Sequence, residues 1–128
     1  VYFTYGLHHL LNVVTREEGN PCAVLVRAIV PLCGLADMEA RRKRSGKDIT
    51  NGPAKLCQAL DIDKTFNGWD LTKGSDLWIE NYRDLPADKI TTTPRIGIDY
   101  ARREDREALW RFVYLDQPSS LSGKRSCR

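Results

Sequence analysis

The sequence predicts a mixed α+β fold, and three observations lead to that class. The apolar runs have the length of strands, residues such as Gly and Pro separate them, and one segment shows the apolar spacing of a helix. The chain has 128 residues, of which 41% are hydrophobic and 29% charged. That is enough for one domain with a hydrophobic core but not for two, so we predict a single domain over residues 1–128.

The first elements are predicted to be strands. Residues 1–14, VYFTYGLHHLLNVV, are expected to form a β-hairpin with Tyr5-Gly6 near its turn. A polar loop covers residues 15–21. The β-branched run 22–30, CAVLVRAIV, predicts a strand that Pro31 ends. Together these segments predict three neighbouring antiparallel strands.

Two helices are predicted next. Residues 35–44 have helical character with a weak apolar stripe. A second helix starts at residues 51–53, where Asn51 or Gly52 can cap and Pro53 suits the first turn. Beyond a turn-rich region, residues 77–81, 95–98 and 110–115 are predicted strands. The Ser-, Gly-, Lys- and Arg-rich residues 117–128 are predicted to form a flexible basic tail.

The charge pattern permits an anionic partner without requiring one. The net charge is +3, and the basic residues form three clusters at 41–47, 102–106 and 124–128. Such clusters usually form a solvated face, and nucleic-acid binding is the alternative. The apolar runs are too short for a membrane-spanning helix. The four cysteines show no CxxC spacing, and His8 and His9 are adjacent, so we expect no zinc site.

Arg27 and Asn12 are the first candidates for a functional site. Arg27 lies in an apolar run, so its guanidinium is expected to be partly buried and to need a carboxylate, a phosphate or a substrate as partner. Asn12 shares a strand face with Leu10 and Val14, where its amide also needs hydrogen-bond partners. A structural ion pair for Arg27 and a core role for Asn12 remain the simpler interpretations.

Three further residues suggest contact with a nucleic acid. A tyrosine ring exposed at a hairpin tip, as expected for Tyr5, could wedge between stacked bases, and the ring of Tyr2 could stack on a base. Lys55 follows Asn51-Gly52-Pro53 at a helix start, where free backbone N–H groups and the helix dipole favour a phosphate. For Tyr5 alone, an ordinary surface or core position is the simpler interpretation, and any helix start has the potential of the one at Lys55.

Five blocks of the sequence together resemble one known family. VYFTYGLHHLLNVV, AVLVRAIVPLCGL, TNGPAKLCQALDID, TPRIGI and WRFVY are similar, in this order, to blocks of the alkyladenine (3-methyladenine) DNA glycosylases. The resemblance implies a curved antiparallel sheet with flanking helices, an architecture similar to the C-terminal domain of methionyl-tRNA formyltransferase. It also implies excision of alkylated purines from DNA by nucleotide flipping and hydrolysis of the N-glycosidic bond.

The resemblance also assigns roles to individual residues. It implies that Tyr5 intercalates in place of the flipped nucleotide, that Tyr2, Asn12 and Leu25 line the base pocket, and that Arg27 positions the catalytic water. Leu7 and His8 would contact DNA beside Tyr5, although the family commonly has an aromatic residue at the position of His8. Lys55 would contact a phosphate.

The family's general base is a glutamate on a segment N-terminal to the hairpin, and no acid of this chain matches it. Because the chain begins in a strand-like run, we expect the domain to be N-terminally incomplete, to bind DNA weakly and to excise nothing alone. The implied partner is double-stranded DNA containing alkylated or deaminated purines, bound by a monomer without metal or organic cofactor. A bacterial member would act in the cytoplasm at the nucleoid, and a eukaryotic member in the nucleus.

Two other interpretations stay open. The chain could be a non-catalytic nucleic-acid-binding domain like the tRNA-binding C-terminal domain of methionyl-tRNA formyltransferase. It could also be a protein without nucleic-acid function, in which Arg27 forms a structural ion pair. Salt-dependent affinity for DNA distinguishes the last interpretation from the other two.

Overall fold

The computed structural model describes residues 1–46, 48–81 and 84–115. The chain divides into two units, Val1–Ile79 and Glu80–Gly123, which we describe separately. Short antiparallel strands and three α-helices confirm the mixed α and β class. The prediction of one domain stays a prediction, and the predicted tail at 117–128 lies outside the described residues.

The first unit begins with the predicted β-hairpin. Strand β1 (Tyr2–Thr4) pairs antiparallel with β2 (His8–Leu10), with Tyr2 opposite Leu10 and Thr4 opposite His8. The chain then passes through the buried Leu11 into β3 (Asn12–Val14), which pairs antiparallel with β4 (Ala23–Leu25). A hairpin is therefore confirmed over residues 2–10, but not over the whole of 1–14, because Asn12–Val14 pairs with β4 in a separate sheet. The predicted set of three neighbouring strands is wrong for the same reason, and the loop at 15–21 connects the second pair.

The predicted strand at 22–30 is wrong in its length, because only Ala23–Leu25 pairs with a strand. The residues that follow form hydrogen bonds to other segments of the chain. The amide of Val26 donates to the Leu11 carbonyl, and the Arg27 and Ile29 carbonyls accept from Gly52 and from the Thr50 hydroxyl. Residues 26–29 therefore run beside the loop that leads into the second helix.

Both predicted helices are present. Helix α1 (Leu35–Arg42) ends at Lys43, whose backbone is left-handed, and helix α2 (Pro53–Leu60) follows Gly52 at its N-cap. Gly52 has a φ of 139°, a conformation that glycine adopts far more easily than other residues. Pro53 occupies the first helical turn, as the sequence predicts.

The core of this unit surrounds α2, which packs against both α1 and β2. One buried cluster joins the helix to the strands, and a second joins the two helices through Met38, Ile49 and Ala59. The first cluster consists of Leu11, Leu56, Cys57 and Ile62. The helix thereby fixes the position of the hairpin on one side and of α1 on the other.

The second unit contains an antiparallel pair and a short helix. Strand β5 (Ile90–Thr93) pairs with β6 (Arg111–Tyr114), and α3 (Arg103–Glu107) lies between them in sequence. The strand predicted at 110–115 is confirmed as β6. The Arg95 guanidinium lies 5.0 Å from the centre of the Trp110 ring.

Three expectations about the sheet are corrected. The described strands form three separate two-stranded sheets, so the expected continuous curved sheet is not observed in this part of the chain. Residues 77–81 and 95–98 are not strands. The amide of Ile79 donates to the Leu71 carbonyl, and Gly97 has a left-handed φ of 77°.

None of the helices in the described ranges combines the length and apolar character that a membrane span requires.

Candidate functional site

The tip of the first hairpin presents Tyr5 to solvent. Tyr5 and Gly6 have φ values of 52° and 67°, and the amide of Leu7 closes the turn on the Thr4 carbonyl at 3.2 Å. Two consecutive left-handed residues are typical of the tight turns that connect antiparallel strands. Tyr5 is 92% exposed. The turn therefore holds a bare aromatic ring away from the core at a fixed place.

A cavity of about 330 Å³ lies beside the same strands. Tyr2, Asn12 and Leu25, the three residues predicted for a base pocket, all line it. Strand register explains this arrangement, because Tyr2 lies opposite Leu10 while Asn12 lies opposite Leu25. The lining residues are Val1, Tyr2, Leu10, Asn12, Val14 and Leu25. The volume falls at the lower end of the range for small-molecule sites.

Asn12 is the polar side chain of this cavity. It is half-buried, and its Nδ2 donates to the Leu10 carbonyl at 3.3 Å. Within the described residues, its Oδ1 accepts no hydrogen bond, although an amide oxygen can accept two. Asn12 therefore retains hydrogen-bonding capacity at the wall of an otherwise mainly apolar cavity.

The expected burial of Arg27 is wrong. Its side chain is exposed, because the segment leaves the strand pair after Leu25 and does not continue between two apolar faces. Arg27 does not line the cavity with Asn12. Across residues 1–46, 48–81 and 84–115 its guanidinium forms no ion pair or hydrogen bond, so the structural ion pair is not observed there either. Its role in positioning water stays a prediction.

A second, larger concavity of about 910 Å³ runs from the hairpin to the two helices, and we call it the basic groove. The predicted DNA-contacting residues Leu7, His8 and Lys55 all line it. Its wall also includes Arg41, Arg42 and Arg44, which the sequence shows only as part of a charged run. The full lining is Leu7, His8, His9, Arg41, Arg42, Arg44, Ala54, Lys55, Cys57, Gln58, Asp61, Ile62 and Asp63.

The start of α2 contributes backbone donors to this groove. Helix α2 has no side-chain hydrogen bond at its N-cap, and Ala54 and Lys55 both face the groove. Their amide N–H groups have no acceptor among the described residues. Unpaired N–H groups in the first turn of a helix favour an anion. The aliphatic stem of Lys55 lies beside Gly52, within 3.4 Å of where a Cβ there would stand.

Two titratable groups in the wall of the groove have pKa values that the fold shifts. Burial raises the pKa of the Cys57 thiol, which keeps it protonated and unreactive. Hydrogen bonds from Thr65 hold the pKa of the Asp63 carboxyl below its ordinary value. In the part of the chain that the structure describes, no three His, Cys, Asp or Glu side chains converge in a way that could hold a metal ion.

Comparison with known proteins identifies the family. Residues 1–118 match the family model of methylpurine-DNA glycosylase (MPG). A protein of Desulfitobacterium hafniense named "Putative 3-methyladenine DNA glycosylase" is 45% identical over 97% of this chain and 64% of its own length. Proteins of the same name from Natranaerobius thermophilus and Chlorobium phaeovibrioides are each 41% identical, over 92% and 98% of this chain.

The chain belongs to the methylpurine-DNA glycosylase family. It spans 64%, 61% and 62% of the lengths of these three relatives. The resemblance noted from the five sequence blocks is thereby confirmed.

Proposed function

We propose that this chain provides the DNA-binding hairpin and the base pocket of an enzyme that removes alkylated purines from double-stranded DNA. The observation that carries the proposal is the position of Tyr5 and of Asn12 relative to the first hairpin. The Tyr5 ring is exposed at the tip of the first hairpin, and the Asn12 amide lies in the wall of a cavity that Tyr2 and Leu10 of the same hairpin also line. Family membership supplies the reaction class, which is hydrolysis of the N-glycosidic bond.

In this proposal the Tyr5 ring enters the base stack where a nucleotide has left it. Turning a base out of a duplex costs a few kcal/mol, and less when the base is damaged. Stacking of a base on an aromatic ring is worth about 1–3 kcal/mol. The ring therefore offsets part of the cost of flipping, and the enzyme extends the lifetime of the flipped state most at damaged pairs.

The cavity of Tyr2, Asn12 and Leu25 then receives the flipped base. Alkylation at a ring nitrogen makes a purine electron-poor, and the face of the Tyr2 ring attracts such a group. The amide of Asn12 contacts the edge of the base through its Oδ1, which its hydrogen bond to Leu10 does not use. None of the cavity-lining residues carries a carboxylate. We propose that the pocket selects and orients the base while another part of the enzyme activates the water.

The DNA backbone would lie along the hairpin and the basic groove. Leu7 is 77% exposed next to Tyr5, and His8 follows it at the start of β2. Lys55 adds a positive charge beside the amides of the first turn of α2, which have no acceptor among the described residues. Such contacts position a duplex without reading its sequence.

A fluorescent duplex tests this function. One purine is hypoxanthine or an alkylated base, and its neighbour is an adenine analogue that brightens when it unstacks. We expect the chain to brighten the damaged duplex more than the matched undamaged one, and Tyr5→Ala to remove the difference. Equal signals on both duplexes with the unchanged chain would refute the proposal, and tighter binding of tRNA than of duplex DNA would favour the formyltransferase-like alternative.

Excision is measured separately, by chromatography of bases released from the damaged duplex. We expect the chain alone to release none. Robust release that stops when a carboxylate of this chain is changed, for example in Glu17→Gln, would show that the general base lies within these residues.

A further inference from the structure

We infer that the C-terminal end of α1 binds the phosphate backbone of the duplex, through Arg42 and Arg44 in the wall of the basic groove. The inference rests on the proposed function and extends it to a helix distant in sequence from the hairpin. Arg41, Arg42 and Arg44 line the same concavity as Leu7 and His8. DNA held at the hairpin tip would therefore pass close to these arginines.

The arginines at the end of α1 are held in place by α2. Nη1 of Arg42 donates to Oε1 of Gln58 at 2.6 Å, and Nη1 of Arg41 donates to the Ala59 carbonyl at 3.1 Å. Gln58 in turn donates to the Arg41 carbonyl at 3.4 Å. A guanidinium has five N–H donors, so each arginine keeps several for another partner. This tethering fixes the guanidinium groups of Arg41 and Arg42 before any ligand arrives and reduces the ordering that binding requires.

Arg42 also carries a donor without a partner. Its Nε is buried and forms no hydrogen bond with the described residues. A buried donor of a charged group is unfavourable when unpaired, and an oxygen of a bound anion is the kind of acceptor that would satisfy it. A phosphate group suits a guanidinium better than an acceptor with a single oxygen does, because two phosphate oxygens can accept from two N–H groups at once.

The charge of the groove favours a polyanion. Four basic side chains, Arg41, Arg42, Arg44 and Lys55, line the groove together with two acidic ones, Asp61 and Asp63. Asp63 already accepts hydrogen bonds from the amide and hydroxyl of Thr65, at 2.8 and 2.6 Å. The cations are therefore in excess over the carboxylates in the lining of the groove.

The test compares two pairs of substitutions that remove the same charge. Arg42→Gln with Arg44→Gln removes the groove arginines. Arg103→Gln with Arg106→Gln removes two exposed arginines from α3, in the second unit. Affinity for an undamaged duplex is measured by fluorescence anisotropy at several salt concentrations. The logarithm of the affinity falls with the logarithm of salt by about 0.9 for each phosphate contact of B-DNA.

We expect the groove pair to lower the steepness of the salt dependence by about 1.8, because two phosphate contacts are lost. The α3 pair is expected to change it far less. Arg44→Gln alone, compared with Arg106→Gln, gives the same test at half the size, should the paired groove variant fail to fold by circular dichroism. Equal effects of groove and α3 changes, or no measurable binding of the unchanged chain at low salt, would overturn the inference.

The outcome is separable from that of the proposed function. The salt experiment uses undamaged DNA, whereas the flipping experiment depends on a lesion. A salt slope that depends on Arg42 and Arg44, without any lesion-dependent fluorescence, would support phosphate binding in the basic groove and refute the proposed base pocket. Lesion-dependent fluorescence, with a salt slope that the two substitutions do not change, would support the base pocket and refute phosphate binding by these arginines.

Discussion

Replacing Tyr5 by alanine separates base-stack insertion from ordinary DNA binding. The Tyr5 ring is 92% exposed and has no contact in the core, so its loss leaves no cavity. We expect the free energy of unfolding to change by less than about 0.5 kcal/mol. The ring's stacking energy of about 1–3 kcal/mol is lost, which corresponds to about 5- to 140-fold weaker preference for the damaged duplex.

The assay measures affinity for damaged and undamaged duplexes by anisotropy and unfolding by urea. Tyr5→Phe keeps the ring and serves as the matched control, with preference expected within about twofold of the unchanged chain. Tyr5→Gly loses the preference as alanine does. It also relieves the left-handed backbone at φ 52° and stabilises the fold by up to about 1 kcal/mol. An equal loss of affinity for both duplexes in Tyr5→Ala would refute insertion of the ring.

Three further predictions concern the pocket, the core and the acid range. Asn12→Ala is expected to reduce discrimination between damaged and normal purines about fivefold, from the loss of about 1 kcal/mol of hydrogen bonding, while Asn20→Ala leaves it unchanged. Leu56→Ala removes about three carbon groups from a fully buried side chain and leaves a cavity, so urea unfolding should show a loss of about 3–5 kcal/mol. A loss below about 1 kcal/mol would contradict its central place in the core. The Asp63 carboxylate stabilises the fold above its ordinary pKa of 3.8 and loses this effect as the pH falls through its lower folded pKa. Asp63→Asn should therefore flatten the drop in Tm below pH 3.8, and an unchanged profile would contradict this reasoning.

Short-range sequence patterns correctly predicted the first hairpin and the start of α2. The alternating residues around Tyr5-Gly6 predicted the hairpin, and the order of Gly52 and Pro53 predicted the start of α2 within a residue. Leu10, Asn12 and Val14, which alternation groups on one face, all line the cavity, although Leu10 ends β2 and Asn12 begins β3. Each of these features depends on neighbours in sequence.

The errors arose where distant segments decide the structure. The run at 22–30 has the composition of one strand, but after Leu25 its carbonyls accept hydrogen bonds from Thr50 and Gly52 instead of from a strand. The same change of partner leaves the side chain of Arg27 exposed. Strand β5 was missed because Thr91, Thr92 and Thr93 look polar, although β-branched residues suit a strand. The basic groove joins segments separated by more than thirty residues, so no local pattern could reveal it.

If Tyr5 enters the base stack as we propose, the three-residue connection that carries it has a kinetic consequence for the search along DNA. A ring on a floppy loop would sample many orientations and would lose that freedom each time it entered a stack. The closed turn between Thr4 and Leu7 has already given up that freedom during folding. On that proposal, each encounter with a base pair needs only a collision in the right register, so that a weakened pair is probed and released quickly.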